Sequence, residues 1–406
     1  MKKILLTTVA LLSMASAQVF GMYGVDSDWI DFLTHGNQFR ARLEQLGFTL
    51  GNDTIKGTFG FDSPSMLGAI LQTKYEMNGN TAVANTPQRA DFIPNISAGI
   101  GYTSSLIGIG VGYTISIADQ WRGVDGKAHQ QAAHTPTLVL NALDNNLRIA
   151  IPIQVFHTTK LQGTAYGTPF DASAEANQSP TTNSITAVSL DAQFRYYTGL
   201  EALPQVRLYI RYGMASSEQK YAGTDADGNA TTETLKNKFD SFGFDFRLFF
   251  GSMVEEVALQ PLFRVRFDTA LDNYLGNYGI TAVDVARNTA NYNLLTFADA
   301  PTYTASRYRL LILGGLGLTA NSDIVSLFLR PELGLKVNGT GNKDAKVDFG
   351  LGWNVYAEIY ITPIKNLEWY FEFNLGNDSP SYVVNDKSLT IYPAVSTGIT
   401  WYLPAL

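Results

Sequence analysis

The chain contains no cysteine, so neither a disulfide framework nor a lipidated N-terminal cysteine is open to it. Charge is sparse as well. Asp, Glu, Lys and Arg make up 16% of the residues, against roughly 25% in ordinary soluble domains. Past the N-terminus no segment reaches the ~20 apolar residues of a transmembrane helix, and the nearest, Leu310 to Ala320, is about half that length. Histidine is limited to His35, His129, His134 and His157. His129 and His134 lie in a polar stretch without an acidic neighbour, which gives neither a helical metal spacing nor a triad. No HExxH or GxSxG motif occurs. Catalysis, a cofactor and a metal are therefore not expected. A basic excess is missing too. The formal net charge is −7, or −9 without Lys2 and Lys3, and the pI is near 5.2, so nucleic acid is not an expected partner.

What the chain does have is glycine, 36 residues, aromatics at 12%, and a mean hydropathy of −0.02. Met1 to Ala17 reads as an export signal: Lys2 and Lys3, a largely apolar run from Ile4 to Leu12, then Ala15-Ser16-Ala17 as a small-residue cleavage site, with cleavage after Gly21 as the alternative. Leu106 to Ile117 then sets the pattern for the rest. Ile107, Ile109, Val111, Tyr113, Ile115 and Ile117 take every second position, and Gly108, Gly110, Gly112, Thr114 and Ser116 fill the gaps. Period-two alternation marks a strand with two unlike faces.

The same alternation recurs to the C-terminus. Phe39 to Leu50 and Thr54 to Phe61 read as a hairpin around Gly51-Asn52-Asp53, and Ser65 to Tyr75 is a weaker repeat. Leu147 to Phe156, Val188 to Tyr196, Val206 to Met214, Phe242 to Phe250, Leu259 to Phe267, Tyr308 to Leu318, Val325 to Val337, Val347 to Ile359, Leu367 to Leu375 and Ile391 to Leu403 repeat it clearly. The expectation is an all-β, transmembrane, antiparallel up-and-down barrel of about sixteen strands, porin-like, with fourteen as the alternative if the N-terminal hairpin stays out. The parts are a signal at 1–21, an N-terminal periplasmic segment at 22–38 and the barrel at 39–406. Short turns alternate with long polar loops, as in outer-membrane barrels. With the C-terminal strand ending in the periplasm, Tyr102, Tyr196, Phe250, Trp369 and Trp401 fall in one girdle on the lipid face. Pro152, Pro261, Pro331 and Pro393 interrupt expected strands and resist this reading, because proline removes a ladder hydrogen bond.

If the apolar positions face lipid, the alternate ones face the lumen. They hold Arg195, Arg207, Arg211, Arg247, Arg264, Arg266, Arg307 and Arg309 on the middle strands, with Asp191, Asp245 and Asp268 among them. Arg330, Lys336, Glu332, Asp348, Glu358, Glu368 and Glu372 follow on later strands. An Arg or Lys against hydrocarbon at the midplane costs ~2–4 kcal/mol, so these charges belong inside. A basic wall facing an acidic wall would bias which solutes pass; cross-strand pairs that merely stiffen the barrel are the structural alternative. Asp225-Ala226-Asp227-Gly228-Asn229 misses the EF-hand frame, with Gly223 and Thr234 where acidic ligands should stand. Gly108, Gly110 and Gly112 form a lumen-facing row rather than a phosphate loop, since no helix start follows.

Trp29-Ile30-Asp31-Phe32-Leu33-Thr34-His35-Gly36-Asn37-Gln38-Phe39-Arg40-Ala41-Arg42, with Leu46-Gly47-Phe48 and Thr54 to Phe61, resembles the mature N-terminus of the variable surface proteins of intestinal spirochaetes. The resemblance implies a surface-exposed outer-membrane antigen in multimeric complexes and favours cleavage after Gly21; it carries no catalytic motif. The expected work is passage of small hydrophilic solutes, with the long loops as a surface for host contacts or antibodies. The competing readings are a surface antigen or adhesin whose closed barrel only displays its loops, an outer-membrane hydrolase with a rim site at His129, His134 or His157, and a soluble periplasmic β-protein. Expected partners are outer-membrane lipid, further copies of the chain and small hydrophilic solutes.

Overall fold

The computed structural model describes residues 29–42, 45–63, 75–78, 81–84, 94–118, 121–122, 128–129, 131–159, 182–224, 230–252, 258–271, 279–287, 306–376 and 392–404. Within them sixteen antiparallel strands close into one barrel. In order these are β1 (Gln38–Arg42), β2 (Gln45–Gly51), β3 (Ile55–Asp62), β6 (Asn95–Thr103), β7 (Gly108–Ile117), β10 (Ala132–Ala142), β11 (Leu147–Thr158), β12 (Thr182–Tyr197), β13 (Gln205–Thr224), β14 (Ala230–Phe249), β15 (Ala258–Ala270), β16 (Tyr308–Asn321), β17 (Val325–Gly339), β18 (Asp348–Ile364), β19 (Leu367–Gly376) and β20 (Tyr392–Tyr402). Two short hairpins stand apart from it, β4 (Tyr75–Asn78) with β5 (Thr81–Ala84), and β8 (Trp121–Arg122) with β9 (Ala128–His129). No described helix is long and apolar enough to cross a membrane.

Each strand separates its residues into two environments. Along β7, Ile109, Val111 and Tyr113 are exposed on the outside while Gly108, Gly110, Gly112 and Thr114 are buried inside, as the two-residue period dictates. Tyr102, Tyr196, Trp369 and Trp401 are exposed on the outer face near the end of the barrel where the short turns gather, and Phe250 lies partly exposed in the turn after β14.

The prolines are absorbed by local gaps in single ladders. Pro152 keeps its place opposite Thr137 on β10, while the β11–β12 pairing steps from Ala150 to Ile153. Pro331 stays opposite Val355 on β18, where the β16–β17 pairing breaks off. Pro261 sits past the end of the β14–β15 ladder, and Pro393 lies on the part of β20 that β1 does not reach. In each case the missing N–H falls on a side where no ladder bond is formed.

The count of sixteen agrees with the alternation, but its N-terminal membership does not. Phe39 to Leu50 is two strands, β1 and β2, paired from Arg42↔Gln45 back to Gln38↔Thr49. Leu43-Glu44 carries no Gly, Asn or Pro to flag the reversal. Its mark is a change of parity, because Phe39 and Ala41 share the outer face with Leu46 and Phe48, not with odd positions further on. Ser65 to Tyr75, read as a strand, lies outside the described residues except for Tyr75 at the start of β4. The seam of the barrel is the five-residue β1, which pairs with β20 from Gln38↔Tyr402 to Arg42↔Gly398.

Candidate functional site: the barrel interior

Among the described residues, two elements enter the interior. A 3₁₀ turn (Trp29–Asp31) and the residues after it run along the inside of β6, β7, β10 and β11. Trp29, Ile30, Phe32 and Leu33 are 1–3% exposed and cluster with Val139 and Ala150. The Trp29 ring meets Phe32 edge-on at 5.8 Å. This is what the glycine row serves. A Cβ on Gly99 would come within 2.5 Å of the Trp29 ring, and one on Gly110 would stand 3.1 Å from Leu33 and 3.3 Å from Phe32; a Cβ on Gly112 would overlap Trp29 itself. Only a wall without side chains leaves room for that turn.

Towards the long-loop end, α1 (Ala282–Arg287) and Ile280 fill the interior against Ala133, Phe156, Ile185, Ala187, Ala215 and Phe239. Its backbone is held by wall side chains: Ala282 N–H donates to Ser189 Oγ at 2.9 Å, and Ile280 N–H to Ser241 Oγ at 3.2 Å. Arg287 Nη2 reaches Asn95 Oδ1 at 2.8 Å. The interior is thus narrowed from both ends.

Beside the inserted turn the register produces a row that no single strand reveals. Arg148↔Arg195, Arg195↔Arg207, Arg207↔Arg247 and Arg247↔Arg264 are direct cross-strand partners, so five arginines stand side by side on β11 to β15. Like charges directly opposite repel. Carboxylates answer them from two directions. Asp245, from the neighbouring row of the same wall, takes Arg247 at 2.7 Å and Arg264 at 2.9 Å. Asp31, from the inserted turn, takes Arg148 at 2.6 Å and also binds Arg195. Burial alone would raise the Asp31 pKa, but Arg195 and Arg148 hold it well below the usual carboxylate range. Arg207, at the centre, lies over the Phe249 ring at 4.4 Å and donates to Gln205 Oε1 at 2.7 and 2.9 Å.

The remaining interior charges pair along the wall. Asp268 takes Arg266 and Arg309 at 2.8 Å each, and Asp191 takes Arg211 at 3.4 Å. Glu332 accepts from Arg330 at 2.7 Å and lies 3.6 Å from Arg264. Glu358 and Glu372 stand directly opposite on β18 and β19, and Tyr356 Oη bridges them, donating to Glu358 Oε1 and lying 3.1 Å from Glu372 Oε1. Arg42 closes on Glu372 at 2.7 Å, and Tyr402 Oη lies 3.3 Å from Glu368. Arg307 is buried just ahead of β16.

Of the twelve residues expected on the inner wall, eleven occupy inward strand positions and Arg307 lies buried just ahead of β16, but the basic and acidic walls do not face each other. They adjoin at β15 to β17, where Glu332 meets Arg264 and Arg330. Sequence reading passed over Arg148, Asp31, Arg42 and the tyrosines at 356, 360, 370 and 402. Arg148 and the tyrosines occupy the inward parity of their strands, a signal that was there to use; Asp31 carries no such mark. His134 Nδ1 pairs with Tyr113 Oη at 2.5 Å and His157 Nδ1 with Thr186 Oγ1 at 2.8 Å, both on the outer face, while the side chain of His129 and the segment from Asp225 to Asn229 lie outside the described residues. Among the described residues no group of three His, Cys, Asp or Glu side chains could hold a metal.

A closed antiparallel barrel with an apolar exterior and an ionised, partly filled interior is the class that fold and site define. The chain belongs to the Serpulina hyodysenteriae variable surface protein family, whose profile matches residues 2–402. No curated protein matches it. Among solved structures it is similar to the FrpB iron transporter from Neisseria meningitidis (F5-1 variant), at 14% identity and a TM-score of 0.42, over 77% of this chain and 51% of that one. The chain thus spans about half the length of that transporter.

Proposed function

We propose that this surface protein works in an outer membrane, after removal of its export signal, as a barrel that passes small hydrophilic solutes and displays its long connections outside the cell. The observation that carries the reading is the sorting of side chains by the pleat. Leu333, Phe349, Leu351 and Trp369 are 45–71% exposed on the outside, while Arg330, Glu332, Glu358, Glu368 and Glu372 lie buried on the inside of the same strands. Ionised groups at that depth need water or a partner, and sixteen strands enclose more space than wall side chains alone usually fill. The inserted turn and α1 act as constrictions in that space. Both chain ends then lie on the periplasmic side, and the loops carry the antigenic variation.

Planar-bilayer recording of the refolded chain from residue 22 onward tests this. Discrete conductance steps are the expected result. A folded, heat-modifiable barrel that stays silent, in wild type and in a variant lacking residues 22–36, would overturn the solute route and leave display of the loops as the function.

A further inference from the structure

We infer that the arginine row on β11 to β13 is a binding site for small oxyanion-bearing solutes, and that the Asp31 carboxylate is its built-in occupant. The inference rests on the reading of the interior as a solute route and names the solute class.

The argument begins with the register. Arg148, Arg195 and Arg207 are consecutive cross-strand neighbours, an arrangement that costs stability in any sheet unless an anion lies between the guanidiniums. For the other half of the row the wall supplies its own anion, Asp245 on β14. For Arg148 and Arg195 the anion comes from outside the wall. Asp31 presents one carboxylate oxygen to each, Oδ1 to Arg148 and Oδ2 to Arg195. A carboxylate bridging two guanidiniums is the geometry of a bound oxyanion, since phosphate and carboxylate share the spacing of their acceptor oxygens.

The segment that delivers Asp31 is built as a separable insert. It is joined to the barrel covalently only through β1, rests on a glycine floor, and touches the wall mainly through apolar side chains. Besides the two Asp31 pairs, its polar ties include Lys56 Nζ to the His35 carbonyl, Asn37 Nδ2 to the carbonyls of Gly51 at 2.9 Å and Pro404 at 2.8 Å, and the Leu403 N–H to the Asn37 carbonyl. A solute oxyanion that takes the place of Asp31 must satisfy the same two arginines. Binding of the solute and seating of the turn therefore compete for one site, and each weakens the other by the same factor.

The test uses the folded chain from residue 22 and inorganic phosphate as the probe. Equilibrium dialysis with labelled phosphate compares wild type, Asp31→Asn, and Asp31→Asn combined with Arg148→Gln and Arg195→Gln. Asp31→Asn is expected to bind phosphate about tenfold more tightly than wild type, an ordinary coupling between two competing occupants, and the arginine changes should abolish that gain. Because Asp31→Asn could fail to fold, a second measurement keeps the wild-type carboxylate. The chain lacks cysteine, so Leu33→Cys gives one thiol in the buried seat, and phosphate should speed its maleimide labelling where chloride at equal ionic strength does not. Equal phosphate binding in all three proteins, or labelling indifferent to phosphate, would overturn the site. Bilayer recording of the same proteins separates the two readings. Phosphate binding without conductance would remove the solute route and keep the oxyanion site; conductance with a cation preference and no phosphate binding would do the reverse.

Discussion

The arginine row on β11 to β15 and the glutamate pair on β18 and β19 both set side chains of one kind directly opposite one another, yet they are accommodated differently. The glutamate pair is settled within its own wall and the neighbouring β1, by the Tyr356 hydroxyl lying between the carboxylates and by Arg42 on Glu372. Two of the five arginines, Arg148 and Arg195, depend on a carboxylate from a separate segment. The first arrangement stiffens the barrel whatever else happens. The second ties the electrostatics of the wall to the position of an insert, so one movement changes both the width of the interior and its charge.

The comparison breaks most sharply at Asp31. Asp31→Asn leaves the buried Arg195 and the half-buried Arg148 without their carboxylate, and removing one partner of a buried pair costs ~3–5 kcal/mol. The loss should appear as faster labelling of Leu33→Cys, with the barrel itself still heat-modifiable. Tyr356→Phe is the matching change in the other wall. Losing a buried hydroxyl that donates to Glu358 beside Glu372 costs ~1–3 kcal/mol, and here the loss should appear in the unfolding midpoint of the whole barrel while Leu33→Cys labelling stays unchanged. If both variants moved both readouts, the two walls would be one unit. The smallest effect is the pH response of the insert. Burial, with Arg40 next, pushes the His35 imidazole down to about 3 from its ordinary 6.5, and Asp31, Arg148 and Lys56 complete its surroundings. The free segment therefore takes up a proton that the seated one refuses. Seating is strongest above pH 6.5 and weakens steadily as pH falls towards 3. Labelling of Leu33→Cys should quicken below pH 6.5, and His35→Gln should flatten that rise. Asp31 contributes no such slope in this range, because its carboxyl stays ionised far below it.

Much of this molecule was legible because β structure writes its two faces into adjacent residues. Ile109, Val111 and Tyr113 against Gly108, Gly110 and Gly112 gives the strand, its inner face and even its small-residue floor without any partner in view. What rests on the floor was not legible. Trp29 and Leu33 read as any apolar turn, and nothing local ties them to glycines far along the chain. The arginine row failed to emerge for a related reason. Each strand shows its inward arginine, but whether Arg195 stands beside Arg207 or one step off depends on turn length and register, which alternation leaves free. Glu358 and Glu372 likewise declare the inner face, whereas their bridge through Tyr356 exists only once β18 and β19 are aligned. The pairing of β1 with β2 escaped because a parity change is a weaker mark than a glycine or proline.

The seam has a consequence for the order in which the molecule assembles. β1 and β20 pair the two ends of the chain, the contact with the greatest loop-closure cost and therefore the one with least reason to form early. Asn37, immediately ahead of β1, binds the Pro404 carbonyl and receives the Leu403 N–H, so the segment that carries Trp29 and Asp31 is fastened by the same event that joins first strand to last. Until the ring is complete the insert has no anchored seat, and afterwards it is already held inside.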